Sequence, residues 1–328
     1  MISDSHLTRL AGDIELASKR VQRFAPSTPV LKIPMLNRLI DGQVFLKAEC
    51  LQATGSFKIR GALNFMSKLR EQQQTTRVVA FSSGNHGIGV AYAGMCLGIK
   101  ATVVVPYDAP LAKVSRIQEL GAEIVFYDRF RQNREALALE LQQSRSCALV
   151  KPYDNWDTIA GQGTCALEAL EQAGRAFDSA IICTGGGGLS AGMGTYLRSK
   201  SDSTQVYTAE PHGWDDHRIS LLAGSRTEAP ADGSDWCDGL LAPIPGELTF
   251  AINQANSAFG LSAGDDAIFD AMKLVREGLG ICLEPSGAVA VASVLSHPET
   301  FRGQRVLVTL TGSNVDSDKF ATALRLAG

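Results

Sequence analysis

The stretch Ala180-Ile181-Ile182-Cys183-Thr184-Gly185-Gly186-Gly187-Gly188-Leu189-Ser190-Ala191-Gly192 places a short apolar run directly before four glycines and the start of a helical pattern. An apolar run of this length, bounded by glycine, is typical of a strand covered on both faces. Four glycines allow successive main-chain N–H groups to curl round a phosphate at the next helix's N-terminus. A bare turn needs fewer. The unit therefore indicates an α/β fold with a phosphate-binding loop at Gly185, Gly186, Gly187 and Gly188.

Similar apolar runs alternate with helical patterns along the rest of the chain. This alternation predicts parallel sheets joined by right-handed crossovers, whose ligands bind where the strands end. The predicted strands are Val78–Phe81, Thr102–Pro106, Glu123–Tyr127, Ala148–Val150, Ala180–Cys183, Gln205–Ala209 and Arg305–Leu310. The predicted helices are Ile59–Gln73, Gly87–Leu97, Ala112–Leu120, Arg131–Gln143, Ile159–Gln172, Ser190–Arg198, Asp265–Glu277 and Ser286–Leu295.

One long stretch, Gly224–Glu247, departs from this alternation. It is rich in glycine, proline and aspartate and shows no clear period. We predict a long irregular segment here that helps to shape the site.

The composition argues against several classes of function. The chain has 328 residues and a formal net charge of −3, which leaves no electrostatic footprint for nucleic acid or an anionic membrane. No apolar run approaches the roughly 18 residues that span a bilayer, and residues 1–20 lack the order of a signal peptide. We therefore expect a cytoplasmic protein. The seven cysteines include no C-x-x-C pair, which argues against disulfides and a thiolate zinc site.

The glycine loop also fits a second class of enzyme. Gly186, Gly188 and Ala191 match the dinucleotide-binding fingerprint. Glu210 ends the next predicted strand about 20 residues later, where a ribose-binding acid would lie. Taken alone, the loop therefore leaves a nicotinamide-dependent enzyme open.

A lysine lies at the start of a predicted helix in Ser56-Phe57-Lys58-Ile59-Arg60-Gly61-Ala62. The helix fixes its position, and a neighbour such as Phe57 can exclude water from the amine. Both effects favour a neutral, nucleophilic amine. The alternative is a solvated lysine at a helix start, which is the commoner arrangement.

The loop Ser82-Ser83-Gly84-Asn85-His86-Gly87 follows a predicted strand and precedes a helix. Small polar side chains and free N–H groups at a helix N-terminus form an anion site that suits a substrate carboxylate. The alternative is a simple helix cap, because serine and asparagine are favoured there. His86 is either a structural histidine or an acid–base group.

Two further segments carry candidate residues. Glu210 and Asp216 suit a hard cation such as Mg²⁺ or Ca²⁺, unless Asp215 or Asp216 merely caps the helix that follows. Glu284-Pro285-Ser286-Gly287-Ala288 indicates a helix start with capping chemistry. Thr311, after the last predicted strand, is a hydrogen-bond partner or a turn residue.

Taken in order, these segments resemble the fold type II pyridoxal-phosphate (PLP) enzymes, specifically the serine/threonine dehydratase and serine racemase group. The similarity runs from Thr28-Pro29-Val30 to Asn314-Val315-Asp316. The Lys58 motif is the most specific part, and Ala160-Gly161-Gln162-Gly163-Thr164, the four glycines and the segments around His86 and Glu284 support it. The resemblance favours PLP over the dinucleotide at the glycine loop.

The resemblance implies a role for each candidate at the cofactor. Lys58 would form the Schiff base with PLP, and Gly185 to Gly188 would bind its phosphate. Phe57 would pack on the ring, Asn85 would bond the ring hydroxyl, and Glu284 would line the same site. Thr311 occupies the position where relatives carry a serine facing the pyridine nitrogen. A neutral hydroxyl there gives a weaker electron sink, which suits prompt β-elimination.

Three details resemble the serine racemase and 3-hydroxyaspartate dehydratase branch. Ser83 stands where many threonine dehydratases have alanine, and in serine racemases a serine there is the second base. Glu210 and Asp216, with the Trp214 carbonyl, match that branch's divalent-cation site, for Mg²⁺, Ca²⁺ or Mn²⁺. Arg134 matches an arginine near the substrate, where it would suit a second carboxylate; a surface arginine is the alternative.

The expected activity is a lyase that converts serine, threonine or 3-hydroxyaspartate to a 2-keto acid and ammonia. Ser82, Ser83, Asn85, His86 and Arg134 are the expected substrate contacts, and Lys58 and Ser83 the expected catalytic pair. A serine or aspartate racemase with elimination as a side activity is the alternative, since two bases flanking Cα allow reprotonation from either side. A β-replacement synthase and a non-catalytic PLP carrier stay open as further alternatives.

The resemblance also implies an organisation of the chain. Residues 1–50 and 149–328 would form a large PLP-binding domain, and residues 51–148 a small mobile domain that closes over the substrate. A homodimer, and a nucleotide effector, are expected on the same ground.

Overall fold

A computed structural model describes residues 2–328 of the chain. Its helices are α1 (Asp4–Val21), α2 (Pro34–Leu39), α3 (Lys58–Glu71), α4 (Asn85–Leu97), α5 (Leu111–Glu119), α6 (Arg134–Ser144), α7 (Trp156–Ala173), α8 (Gly188–Lys200), α9 (Asp216–Ala223), α10 (Glu247–Ala255), α11 (Asp265–Leu279), α12 (Pro285–Ser296) and α13 (Ser317–Leu326). Its strands are β1 (Val30–Leu31), β2 (Gln43–Lys47), β3 (Arg77–Phe81), β4 (Lys100–Pro106), β5 (Glu123–Tyr127), β6 (Ala148–Leu149), β7 (Ser179–Cys183), β8 (Gln205–Pro211), β9 (Phe259–Ala263) and β10 (Arg305–Thr309).

The strands form two sheets. One has six strands in the order β1-β2-β10-β7-β8-β9, and the other has four in the order β5-β4-β3-β6. Every pairing is parallel except that of the short β1 with β2. The prediction of an α/β fold with two open parallel sheets is therefore confirmed.

Both sheets are covered on both faces, which explains the continuous apolar runs. In β10, Val306 and Val308 pack into one core with residues of α11 and α12, whereas Leu307 packs into a second core with residues of α1, α7 and α8. The four-stranded sheet separates its own cores in the same way, with Val78 on one face and Val79 on the other.

The predicted elements are all present, but several others were missed. Strand β2 escaped detection because it ends in the charged Lys47, which is fully buried in the fold. Strand β9 is a half-buried edge strand that contains Gly260 and Ser262. The helices missed by the sequence analysis are α1, α2, α9, α10 and α13.

The fold brings the ends of several strands together. Loops that follow β3, β7, β8 and β10 carry the candidate motifs, as expected for ligand sites of parallel sheets. The segment between α9 and α10 is irregular, which confirms the prediction for Gly224–Glu247. Among the residues described, no helix combines the length and the apolar character required to cross a membrane.

Candidate active site

Lys58 is the first residue of α3 and is half-buried. Its Nζ lies 3.1 Å from the main-chain oxygen of Pro152 and 5.0 Å from the centre of the Phe57 ring. Burial lowers the pKa of Lys58 to about 8, against the opposing charge of Glu284. The fully solvated lysine, which was the alternative, is wrong. A pKa of about 8 leaves roughly a tenth of the amine neutral at pH 7, far more than for a lysine with the ordinary pKa of 10.5, and the neutral form is the nucleophile.

A buried ionic cluster fixes the helix that carries Lys58. Arg60, fully buried two residues further along α3, bonds Glu49 through Nε and Nη2 at 2.7 and 2.8 Å. It also bonds Glu168 of α7 through Nη1 and Nη2 at 2.8 and 2.6 Å. Lys47 adds a second cation at 2.8 Å from Glu168. This ionic cluster of Lys47, Glu49, Arg60 and Glu168 therefore joins β2, α3 and α7 behind the lysine.

The glycine loop leaves no room for side chains. A Cβ on Gly186 would overlap the Tyr153 ring, one on Gly187 would overlap His217 Nε2, and one on Gly188 would overlap Gln162 Oε1. Gly187 also has φ of +89°, a left-handed conformation that favours glycine. Because α8 begins at Gly188, the N–H groups of its first turn have no carbonyl partner within the helix. The loop is thus a main-chain anion cradle, which fits the phosphate of PLP.

Replacing Gly187 by alanine should weaken cofactor binding at least tenfold. The change would place a Cβ in a left-handed conformation, which costs about 1–2 kcal/mol, and drive it into the His217 ring. The dissociation constant of PLP, titrated by absorbance into cofactor-free protein, measures the effect.

Gly174→Ala is the matched control for this change. Gly174 ends α7 with φ of +67°, and a Cβ there would meet nothing within 4 Å. It should therefore lower stability slightly and leave PLP affinity unchanged. Equal affinities in the two variants would contradict the assignment of the loop.

The loop after β3 combines local turns with the start of α4. Ser82 Oγ accepts the main-chain N–H of Gly84 at 3.1 Å, and Gly84 is the N-cap of α4. Ser83 is half-buried beside it. The free N–H groups of the first turn of α4 lie at this loop, so it retains the character of an anion site.

Asn85 belongs to a chain of hydrogen bonds between residues far apart in sequence. Its Nδ2 donates to Glu284 Oε1 at 2.7 Å, and its Oδ1 accepts from Asn314 Nδ2 at 2.6 Å. Arg116 of α5 donates to Asn314 Oδ1 at 2.7 Å. The predicted helix start is present, since α12 begins at Pro285, but the Glu284 side chain makes no cap bond to α12 and bonds Asn85 instead. Burial raises the pKa of Glu284 to about 7.

His86 is buried in α4, and its Nε2 lies 2.8 Å from the main-chain oxygen of Val150. Burial, and to a lesser extent the charge of Lys58, lowers the pKa of His86 to about 3. The imidazole is therefore neutral and bonds the main chain, which favours the structural interpretation over an acid–base one.

Arg134 and Thr311 occupy opposite environments. Arg134 is exposed at the start of α6, with its guanidinium carbon 5.7 Å from the centre of the Phe81 ring. Phe81 ends β3, directly before the loop that carries Ser83. Thr311 is buried after β10, where its Oγ1 lies 3.5 Å from the main-chain oxygen of Ser286.

The fold brings Glu210 and Asp216 together, both fully buried. Glu210 accepts the main-chain N–H groups of His217 and Arg218 at 2.8 Å each. The alternative that Asp215 or Asp216 caps α9 is therefore wrong, since Glu210 does so and Asp215 instead bonds Arg218.

Asp216 is left without a hydrogen-bond partner at either carboxylate oxygen among the described residues. Burial raises the pKa of Asp216 to about 7 and that of Glu210 well above its usual range. Trp214 lies in the same loop, with its indole N–H donating to the main-chain oxygen of Ser234 at 3.0 Å. Two buried carboxylates, of which Asp216 has both oxygens unpartnered among the described residues, suit a cation.

Sequence analysis missed several residues of this region. His217 lies between the carboxylates and Gly187, Tyr153 packs on Gly186, and the Asn314 side chain bonds Asn85. His217 directly follows Asp216 after the end of a strand, so its position could have identified it as a candidate site residue. The contacts of Tyr153 and Asn314 depend on long-range packing, so no local sequence pattern predicts them.

The sequence matches the family described as pyridoxal-phosphate dependent enzyme over residues 21–312. The chain belongs to this family, and its cofactor is PLP. The nicotinamide interpretation of the glycine loop is therefore wrong.

Named relatives cover nearly the whole chain. The L-threo-3-hydroxyaspartate ammonia-lyase of Pseudomonas sp is 38% identical over 95% of this chain and 98% of its own length. The serine racemase of Schizosaccharomyces pombe is 34% identical over 98% of both chains. The crystal structure of the Dictyostelium discoideum serine racemase is 38% identical with a TM-score of 0.87, over 93% of this chain and 98% of that one. The chain is thus an enzyme of the lyase type in a group that includes racemases.

Proposed function

We propose that this enzyme eliminates water from a β-hydroxy amino acid, namely serine, threonine or 3-hydroxyaspartate. The released enamine tautomerises to an imine, whose hydrolysis takes up one water and gives a 2-keto acid and ammonia. The observation that carries the proposal is the half-buried Lys58 amine, whose pKa is lowered to about 8 and which bonds the main-chain oxygen of Pro152. The next residue, Tyr153, lies against the glycine loop. The similarity to the Pseudomonas lyase supports the hydroxy amino acid as substrate.

The cofactor would be held by residues from several loops. Lys58 would hold it through Nζ, the N–H groups of Gly185 to Gly188 would hold its phosphate, and Phe57 would pack on its ring. Asn85, Glu284 and Thr311 would contact the ring's polar atoms. Bound PLP supplies an electron-withdrawing ring that stabilises negative charge at the substrate's Cα.

The chain's own residues would position the substrate and move its protons. The loop from Ser82 to His86 would bind the α-carboxylate at the N-terminus of α4. Lys58 Nζ, whose pKa is lowered by burial, would take the proton from Cα on one face. Arg134, exposed at the start of α6, would pair with a second carboxylate when the substrate is 3-hydroxyaspartate.

A divalent cation, Mg²⁺, Ca²⁺ or Mn²⁺, would bind at Glu210, Asp216 and the Trp214 main-chain oxygen. The support for it is the pair of buried carboxylates, of which Asp216 has both oxygens unpartnered. A cation would offset the cost of burying these charges.

The organisation of the enzyme is part of the same proposal. All residues of the four-stranded sheet except Leu149 lie within residues 51–148. This arrangement supports a small mobile domain over residues 51–148 and a large domain made of residues 1–50 and 149–328. A homodimer, a nucleotide effector and a cytoplasmic location are proposed as well. All seven cysteines are unpaired, which suits a reducing compartment.

A serine or aspartate racemase is the second candidate. The half-buried Ser83 lies in the loop after β3, and the similarity to serine racemases supports a second proton donor there. If its Oγ faces Cα from the side opposite Lys58, reprotonation would invert the substrate.

The test is to incubate the PLP- and Mg²⁺-loaded enzyme separately with L-serine, D-serine, L-threonine and the 3-hydroxyaspartate isomers. Keto acid, ammonia and the enantiomers of remaining substrate are assayed together. We expect keto acid and ammonia in equal amounts from at least one substrate, and Ser83→Ala should abolish any inversion while retaining elimination. Inversion that exceeds elimination would make the enzyme a racemase.

Arg134→Gln serves as a specificity probe in the same assay. It should raise KM for 3-hydroxyaspartate roughly tenfold, the loss of one charge-assisted pair, and leave KM for serine unchanged. Arg131→Gln is the matched control, because the exposed Arg131 pairs only with Asp128, at 3.5 Å. A parallel loss with serine would remove Arg134 from substrate recognition.

A further inference from the structure

His217 is buried and unpartnered between two parts of the site. The ring is completely inaccessible, and neither of its nitrogens makes a hydrogen bond of good geometry among the described residues, although the main chain of Gly185 lies beside the ring. Buried polar atoms in folded proteins nearly always have a partner, so such an imidazole indicates a missing ligand.

The two ring nitrogens of His217 face different groups. Nδ1 lies 3.7 Å from Asp216 Oδ2 and 3.8 Å from Glu210 Oε1. Nε2 faces Gly187, where it occupies the space that a Cβ would take. The ring thus spans the gap between the carboxylate pair and the glycine loop.

The distances suit a single ion shared by the three side chains. Three ligand atoms that surround one ion with bonds of about 2.1 Å are about 3.6 Å apart when they share a plane with it. The imidazole-to-carboxylate distances of 3.7 and 3.8 Å are close to this value, and the three atoms of Glu210, Asp216 and His217 all lie within 4.8 Å of one another. They are too far apart for the imidazole to hydrogen-bond either carboxylate directly.

Building on the cation site proposed above, we infer that His217 ligates the cation through Nδ1. A set of two carboxylates and one imidazole favours a transition ion such as Mn²⁺ or Zn²⁺ over Mg²⁺ and Ca²⁺, which prefer oxygen ligands. Ligation through Nδ1 also fixes the tautomer, so that Nε2 carries the proton and points at the Gly187 loop.

The test uses the holoenzyme loaded with Mn²⁺ alone. Pulsed electron paramagnetic resonance should show the coupling of a directly bound ¹⁴N, and labelling the protein with ¹⁵N-histidine should replace it by a ¹⁵N coupling. The labelled wild type answers the question without any substitution. His217→Ala should lose the coupling and weaken Mn²⁺ binding at least tenfold, while Mg²⁺ binding changes less than threefold.

His212→Ala is the matched control, because His212 lies exposed in the same loop; it should retain both the coupling and the affinity. Mn²⁺ that binds with no histidine coupling, and that Asp216→Asn displaces, would overturn the inference and leave the cation site in place. Failure of the wild type to bind Mn²⁺, or binding that Asp216→Asn does not weaken, would overturn the cation site and this inference together. Neither outcome affects the lyase assignment.

Discussion

Lys58→Ala should lower the rate of keto-acid formation by roughly a thousandfold or more, because the proton transfer at Cα alone is worth about 10²–10⁴. No described side chain replaces its amine, since the neighbouring cations serve other purposes: Arg60 is held by two carboxylates, and Lys68 by Asp157 at 2.6 Å. Borohydride reduction followed by mass spectrometry should attach the cofactor to the Lys58 peptide in the wild type and to no peptide in the variant.

Lys68→Ala is the matched control on the same helix and should retain full activity. A small exogenous amine should restore part of the rate to Lys58→Ala, which a merely misfolded protein would not allow. Activity of Lys58→Ala within tenfold of the wild type would contradict the assignment of the catalytic lysine, whatever its thermal stability.

Arg60→Met should destabilise the protein by about 3–5 kcal/mol, the usual cost of leaving a buried charge without its partner. The substitution would strand Glu49, fully buried, with the Thr28 hydroxyl as its remaining direct partner beside the 3.5 Å contact from Gln52. Glu168 would retain Lys47. The free energy of unfolding, taken from the urea dependence of far-ultraviolet circular dichroism, measures the change.

Arg226→Met is the control for this prediction. Its pairing with Glu247 at 3.2 Å is largely exposed, so the loss should stay within about 1 kcal/mol. If the two variants unfold at the same urea concentration, the ionic cluster contributes no more than a surface pair. A second variant, Arg60→Lys, should recover only part of the loss, because lysine cannot bond both carboxylates with a planar fork.

The fold class could be predicted from the sequence because parallel strands covered on both faces leave a strong local signal. Val78–Phe81 and Ala180–Cys183 are uniformly apolar, and each is followed by small residues and a helix. Strand β2 shows the limit of predicting buried strands from apolar runs. Its Lys47 breaks the apolar pattern, and the buried amine is tolerated because it bonds Glu168, 121 residues away, and the main-chain oxygen of Thr28.

The candidate site residues divide in the same way, into those that lie in local motifs and those that only long-range packing brings together. Lys58, the four glycines and the loop around Ser83 are contiguous motifs, so the sequence could mark them. The partners of Asn85 could not be marked, because Glu284 and Asn314 lie 199 and 229 residues further along the chain. Glu284 shows how a local pattern can mislead. A residue at a helix start is expected to cap that helix, whereas the Glu284 carboxylate accepts a hydrogen bond from the side chain of Asn85 at the start of α4.

The position of β10 has a consequence for the order in which the protein can be built. Residues 305–309 pair with β2 on one side and β7 on the other, at the centre of the large sheet. Synthesis delivers this strand after the other five strands of the sheet, so β2 and β7 leave the ribosome with open edges that can pair with other chains. The four-stranded sheet, complete by residue 149, can form much earlier. A chain whose synthesis stops before Arg305 therefore lacks a central strand of its larger sheet, not an edge strand.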